Sequence, residues 1–176
     1  GIFIWEEPWK MKFEKKEIFG NCASIEVPTN FKDVSDFRQV PDNQEVFVSD
    51  NSDVTIIIEL LESPINVLDE ESRLLLHWTD LENANSSKAS NYEYCLAANN
   101  DNSNSEASMY MFGHQNIPKF NKDEDITKVK IYLFCMLLSN VSTDVLISLS
   151  IPINFDCYSD EDFVKIGITS QTIKKR

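Results

Sequence analysis

The side chains of this chain best placed to do chemistry are five charged groups in one short stretch: Asp33, Asp36, Arg38, Asp42 and Glu45. Residues 33–48 read Asp-Val-Ser-Asp-Phe-Arg-Gln-Val-Pro-Asp-Asn-Gln-Glu-Val-Phe-Val. Pro41 has no N–H and a fixed φ, so it stays out of a central strand, and it biases Val40 toward an extended conformation. Pro41-Asp42-Asn43 is turn chemistry. The residues that follow, from Glu45, are β-branched and aromatic and begin a strand. Asp42 and Glu45 therefore lie about one turn apart where a loop feeds a sheet, a common setting for binding groups. On the residues alone two readings stand. Either the pair grips a partner, or Asp42 only closes the turn and Glu45 only solvates an edge.

Other chemistry finds little support. The two histidines, His77 and His114, are far apart in sequence, and there is no Gly-x-Ser-x-Gly nucleophile motif. No Gly-x-x-x-x-Gly-Lys loop is present to cradle a phosphate. Asp50 and Asp53 superficially suggest a calcium loop, but the required glycine and the terminal bidentate glutamate are not in their places. Cys22, Cys95, Cys135 and Cys157 include no Cys-x-x-Cys pair. Cys22 and Cys135 lie in apolar strand patterns and read as buried thiols, with no disulfides expected. The expectation is a protein without catalytic residues, cofactor or metal.

Charge says what kind of partner to look for. The net charge is −13 over 176 residues. Residues 33–71 carry eleven carboxylates against one basic residue, Arg38. That argues against nucleic acid, whose binding is led by Lys and Arg on phosphates, and against anionic membranes. A basic protein would be steered toward this region, although acidity also serves solubility. No run reaches the roughly 20 apolar residues needed to span a bilayer, and no signal peptide is visible. The expectation is a soluble, intracellular monomer.

The elements that must hold the stretch can be read from periodicity. Residues 22–27 alternate as a half-buried strand ended by Pro28. Strands at 45–49 and 54–61, joined by a polar turn, form a hairpin. The run at 54–61 is apolar throughout, as in a strand covered on both faces. A helix follows, capped by Asp69, with Glu70 and Glu71 in its first turn and Leu74, Leu75, Trp78 and Leu81 on one face. That spacing leaves His77 exposed. Residues 83–108 read as an Asn/Ser-rich, low-complexity loop interrupted by a short strand at 92–96. Residues 107–114 form a strand ended by Gly113. Residues 128–138 are apolar on both faces, and 144–151 pair with them across a polar turn. Ser159 and Asp162 make a capping box for a last helix with Phe163, Ile166 and Ile173 in one stripe. Two doubly apolar strands and two helices predict an α/β (α+β) fold, a three-layer α/β/α sandwich with a mostly antiparallel central sheet between helices. Residues 1–11 read as an N-terminal extension, with Gly1 a remnant of expression, and 12–176 as a single domain.

Residues 33–48, preceded by Phe19-Gly20 and Val27-Pro28, resemble the signature of the Mog family of Ran-GTPase-binding nuclear transport factors, also described as Ran guanine nucleotide release factors. The matching residues are Asp33, Ser35, Arg38, Val40, Pro41, Asp42, Gln44, Glu45 and Val46. Ile57-Ile58-Glu59-Leu60-Leu61-Glu62 and Thr143-Asp144-Val145-Leu146-Ile147-Ser148 resemble later strands of that family. Asn21 replaces the second glycine of its Phe-Gly-Gly corner, and asparagine tolerates the positive φ such a corner needs. The resemblance implies a sheet between helices, shared with PsbP-like proteins. It also implies a Ran-type small GTPase as partner, nucleotide release in nuclear import, and a location in nucleus and cytoplasm. It assigns the contact to Asp42 and Glu45, with Asp33, Asp36 and Arg38 touching the partner or shaping the loop. The alternative is a non-enzymatic adaptor that docks other proteins through the Trp-containing extension or a groove of the sandwich.

Overall fold

The computed structural model describes residues 11–66, 69–97, 108–119, 125–153 and 158–170. The N-terminal extension as far as residue 10, the centre of the Asn/Ser-rich stretch, and Ile173 lie outside them. Strands β3 (Phe31–Asp33), β4 (Gln44–Ser49), β5 (Thr55–Glu62), β6 (Ser90–Ala97), β7 (Ser108–Pro118), β8 (Ile126–Leu138) and β9 (Thr143–Pro152) form one antiparallel sheet in the order β3-β4-β5-β9-β8-β7-β6. Strands β1 (Phe13–Ile18), β2 (Ala23–Pro28) and β10 (Ile168–Ser170) form a second, three-stranded sheet in the order β1-β2-β10.

β8 shows why two covers are needed. Ile131, Leu133 and Cys135 point to one side, and Tyr132, Phe134, Met136 and Leu138 to the other. In β9, Val145, Ile147, Leu149 and Ile151 are buried with the second set, while Leu146 joins the first. Helix α1 (Glu70–Ala84) covers the first side with Leu74 and Trp78, both fully buried. Asp69 caps it by accepting from the Ser72 N–H at 2.7 Å. The other side is closed by Ile18, Ala23, Ile25 and Val27 of the small sheet and by Phe163 and Ile166 at the end of α2 (Asp160–Lys165). Phe163 stacks on Tyr132, ring centroids 5.0 Å apart. The expected helix–sheet–helix layering is thereby corrected. The second cover is mainly a sheet, because α2 is a six-residue helix and two helices are all the described residues contain.

Several other expectations change for identifiable reasons. β1 has only Phe13 and Ile18 as apolar residues in Phe-Glu-Lys-Lys-Glu-Ile, so pairing with β2 makes the strand, not propensity. Gly113 does not end β7, which runs on to Pro118. A Cβ at Gly113 would lie 1.8 Å from the Asn91 carbonyl oxygen, so glycine is there to let β6 approach. The Asn/Ser-rich stretch supplies the end of α1 and an eight-residue β6 before residue 98. The α1 stripe is also rotated. Leu75 is exposed, and Arg73, Leu74, His77 and Trp78 form the buried face.

His77 is therefore buried, not exposed, and the cause is Asp144 on β9. This carboxylate is inaccessible to solvent and accepts from Arg73 Nη1 (2.8 Å), Ser63 Oγ (2.9 Å) and His77 Nε2 (2.7 Å). An ionised carboxylate only accepts, so His77 carries its proton on Nε2. Burial alone would raise the Asp144 carboxyl; the hydrogen bonds from His77, Ser63 and Arg73 and the Arg73 charge outweigh it and hold it below its ordinary 3.8. The network fastens α1 to the sheet from within.

Two stability outcomes follow. Asp144→Asn removes the buried negative charge that Arg73 pairs with and lowers the urea unfolding free energy at neutral pH by about 3–5 kcal/mol. Because the folded-state pKa is depressed, this stabilisation is present above 3.8 and is lost as pH falls through the lower folded value. The wild-type advantage over the variant therefore shrinks on acidification below that point. Gly113→Ala forces β6 away from β7 and costs about 1–3 kcal/mol by the same measurement.

Candidate functional site

The acidic stretch folds into two consecutive turns at one end of the large sheet. Asp33 closes β3 and caps a 3-10 turn at Val34–Asp36 by accepting from the Ser35 N–H (2.9 Å) and Ser35 Oγ (2.7 Å). It shapes the loop. Asp36, Phe37, Arg38 and Asp42 project into solvent, and Phe37 is 61% exposed, unusual for a phenylalanine. Arg38 makes no ion pair with Asp33 or Asp36 among the described residues.

Asp42 and Asn43 form the corner of the second turn, closed by the Gln44 N–H on the Pro41 carbonyl at 3.0 Å. Asn43 ties this corner to β5 twice: its carbonyl accepts from the Leu60 N–H at 2.9 Å, and its Nδ2 donates to the Leu60 carbonyl at 3.1 Å. Gln44 donates to Glu59 on the same strand. Asp42 is thus presented on a rigid corner and has no hydrogen-bond partner among the described residues.

Glu45 behaves differently. It is half-buried, and its Oε1 accepts from the Phe19 N–H at 2.8 Å, across 26 residues of chain. Phe19, Gly20 and Asn21 have φ of 49°, 62° and 66°, so the β1–β2 corner is left-handed through three residues, and Asn21 adopts the positive φ expected of it. Glu45 pins that corner. Burial raises its carboxyl above the ordinary 4.5; the Phe19 amide opposes the rise, and the nearby Asp33 charge adds to it.

Between the two corners lies an open cavity of about 610 Å³. Phe19, Val40, Pro41, Leu60, Leu138 and Val141 supply its apolar walls, and Asp42 and Glu45 its charge. Among the described residues no lysine or arginine lines it. Cys22, expected to be buried, is half-buried at its edge. The sequence brought out Asp42 and Glu45 but not this cavity, since Leu60 and Leu138 on distant strands and Val141 in the turn after β8 carry only core or turn signals.

The three groups closest to a metal-ligand set lie elsewhere, in the core: His77, Cys135 and Asp144, with ligand atoms within 4.8 Å of one another. Their chemistry is that of a hydrogen-bonded hub. His77 bonds Asp144 directly, Arg73 occupies the other carboxylate oxygen, and burial, reinforced by the Asp144 charge, pushes the Cys135 thiol up and keeps it protonated.

Comparison with known proteins identifies the family. A family profile described as "Ran-interacting Mog1 protein" matches residues 16–152. The chain is 33% identical over 146 residues to a Ran guanine nucleotide release factor of Danio rerio, covering 78% of this chain and 78% of that one. It is 30% identical over 141 residues to the Ran guanine nucleotide release factor of Homo sapiens, covering 77% and 74%. The crystal structure of the Saccharomyces cerevisiae Ran-binding protein Mog1p has the same fold, with a TM-score of 0.67 at 24% identity over 82% of this chain and 79% of that one. The profile spans most of the sequence, and the chain belongs to the family of Ran-interacting Mog1 proteins.

Proposed function

We propose that this protein binds a Ran-type small GTPase through its acidic turn and promotes release of guanine nucleotide from it, as a step of nuclear protein import, between nucleus and cytoplasm. One observation carries the reading: in a member of this family, Asp42 and Glu45 face an open cavity whose lining, among the described residues, is otherwise uncharged. Asp42 is the free contact, and Glu45 both contacts the partner and holds the Phe19 corner. Asp33 shapes the loop, while Asp36 and Arg38 lie on the exposed flank with Phe37 and complete the footprint. The protein works as a monomer, without enzyme chemistry, nucleic acid or membrane. Its carboxylates compete for basic groups of the GTPase that otherwise hold nucleotide phosphates, so the GTPase–protein complex forms at the expense of the nucleotide-loaded one.

The test is calorimetric titration with the purified GTPase of the same organism in GTP-bound, GDP-bound and nucleotide-free states. Asp42→Asn with Glu45→Gln lowers affinity at least tenfold, a floor below the about 2–5 kcal/mol expected when one side of a desolvated ion pair is removed. Unchanged affinity refutes the two residues as the contact. Glu45→Gln keeps an oxygen for the Phe19 N–H, so its melting temperature holds or rises. The sign follows from the raised folded-state pKa: at neutral pH the ionised Glu45 opposes folding, and its contribution to stability improves as pH falls through the folded value.

Binding has the opposite pH dependence, because the proton competes with the cation. Wild-type affinity falls as pH drops from neutral toward the Glu45 pKa, which lies above 4.5. Glu45→Gln removes that part of the profile, measured by repeating the titration across the range.

A further inference from the structure

We propose that the end of the large sheet diagonally opposite the acidic turn is a second docking site, which takes a short, extended, acidic segment of another protein with carboxylates at alternate positions. The inference does not depend on the GTPase reading.

This end is made by β6, β7 and β8. Lys128 and Lys130 lie on one face of β8, the face that carries Tyr132. Directly across on β7 stand Asn116 and His114, and the Lys88 N–H donates to the Asn116 carbonyl at 2.9 Å. Four basic residues thus occupy neighbouring positions of a chain whose net charge is −13. Elsewhere Lys15, Lys16 and Lys32 pair with Glu17, Glu14 and Asp50. Among the described residues Lys128 and Lys130 have no carboxylate partner. The cross-strand positions where a carboxylate would neutralise them hold His114 and Asn116 instead.

Two seats for an anion result. Lys128 is exposed at the edge of a small cavity of about 150 Å³ lined also by Ser90, Asn91, His114 and Asn116. Asn91 Oδ1 accepts from the His114 N–H at 3.1 Å, which leaves its Nδ2 to donate. A hydroxyl, two amides and an ammonium therefore surround one opening. The other seat is Lys130, whose Nζ lies 4.9 Å from the Tyr132 ring centroid and 5.6 Å from that of Phe112. The two rings hold this ammonium in place without neutralising it. Glu93, a lining carboxylate of the adjoining cavity, stands at the Phe112 position and makes no ion pair with Lys130.

The spacing selects the ligand. Side chains two residues apart on a strand are about 7 Å apart, and so are carboxylates at alternate positions of an extended peptide. An inorganic anion fills one seat only. A nucleic acid, with its continuous row of phosphates, would run past the cluster onto acidic surface. The acidic turn does not interfere. Lys130 aligns with Ile151 of β9, and Glu45 aligns through Ile58 with Ile147, three strands across. That separation is about 20 Å, beyond the roughly 8–10 Å over which exposed charges act in salt.

The test is an amide-resolved NMR titration of the full chain with a blocked peptide of alternating glutamate and serine. Inorganic phosphate and a short oligothymidylate are titrated in parallel. The expected result is saturable shifts centred on Asn91, His114, Asn116, Lys128 and Lys130, with the peptide binding more tightly than either comparator. Lys128→Gln with Lys130→Gln weakens the peptide about tenfold, as the loss of two partly exposed ion pairs gives. Lys128→Gln alone leaves Lys130 on its rings, keeps the fold, and weakens it about threefold. Lys15→Gln with Lys16→Gln removes the same charge elsewhere and leaves affinity as in the wild type. Four results overturn the proposal. The first is no saturable shift at the named residues. The second is an equal loss in the two double variants, which reduces the effect to net charge. The third is phosphate binding as tightly as the peptide, which makes this a single-anion site. The fourth is oligothymidylate binding more tightly, which makes it a nucleic-acid site. None of these touches the acidic turn, so the GTPase reading stands or falls separately.

Discussion

The constraint on which the structure depends is that β8 is apolar on both faces. A strand of that kind cannot meet water on either side, so two separate covers must be found. Helix α1 provides one, through Leu74 and Trp78 against Ile131 and Leu133. The other is the small sheet, whose Ile18, Ile25 and Val27 meet Ile56, Ile58 and Ile147. Laying that sheet down brings the corner after Ile18 to the turn before β4. The Phe19 N–H then reaches Glu45, and the gap between the two corners becomes the cavity. The site is thus a consequence of how the second face is closed.

Two carboxylates show the protein using burial in opposite ways. Asp144 is completely enclosed and has gathered donors from Ser63, Arg73 and His77, so its negative charge is cheaper inside than out. Glu45 is only half-enclosed and has a single amide, and its charge is dearer in the fold than in the unfolded chain. The first pattern is what a fold needs to fix a helix on a sheet. The second is what a site needs when the missing positive charge is to come from elsewhere, and perturbed acids of that kind concentrate where proteins bind or react. Both residues lie in blocks that the sequence singles out, yet type and position alone do not separate them.

That difference marks how far the sequence reaches. The hairpin of β4 and β5, the antiparallel pairing of β8 with β9, the Asp69 cap and the Ser159–Asp162 capping box were all legible, because each rests on neighbours within a few residues or on strict alternation. The positions of Asp42 and Glu45 before a strand were legible for the same reason. What failed needed partners far along the chain. His77 looks solvent-facing until Asp144, 67 residues away, is placed opposite it. β1 is too charged to announce itself and exists through β2. Gly113 resembles a breaker because the Asn91 carbonyl that demands it is 22 residues earlier. The cavity is the extreme case, since its walls come from Phe19, the acidic stretch, β5 and the β8–β9 turn, and β5 and the β8–β9 turn carry no local mark of function.

Rigidity limits how such a site could act on a GTPase. The Asp42 corner is fixed by the Asn43–Leu60 pair and by Gln44 on Glu59, and the opposite corner by Glu45 on the Phe19 amide. A site held at this many points has little conformational freedom of its own with which to favour one partner state over another. A binder with equal affinity for loaded and empty GTPase changes nucleotide occupancy not at all, however tight it is. On the proposed reading, release comes from the partner, whose basic groups turn toward Asp42 and Glu45 only when they are not neutralising phosphate. By linkage, the factor by which nucleotide weakens this protein's hold equals the factor by which this protein weakens the hold of nucleotide. On the proposed reading, a fixed pair of carboxylates that competes with the phosphates for the same cation makes that factor greater than one.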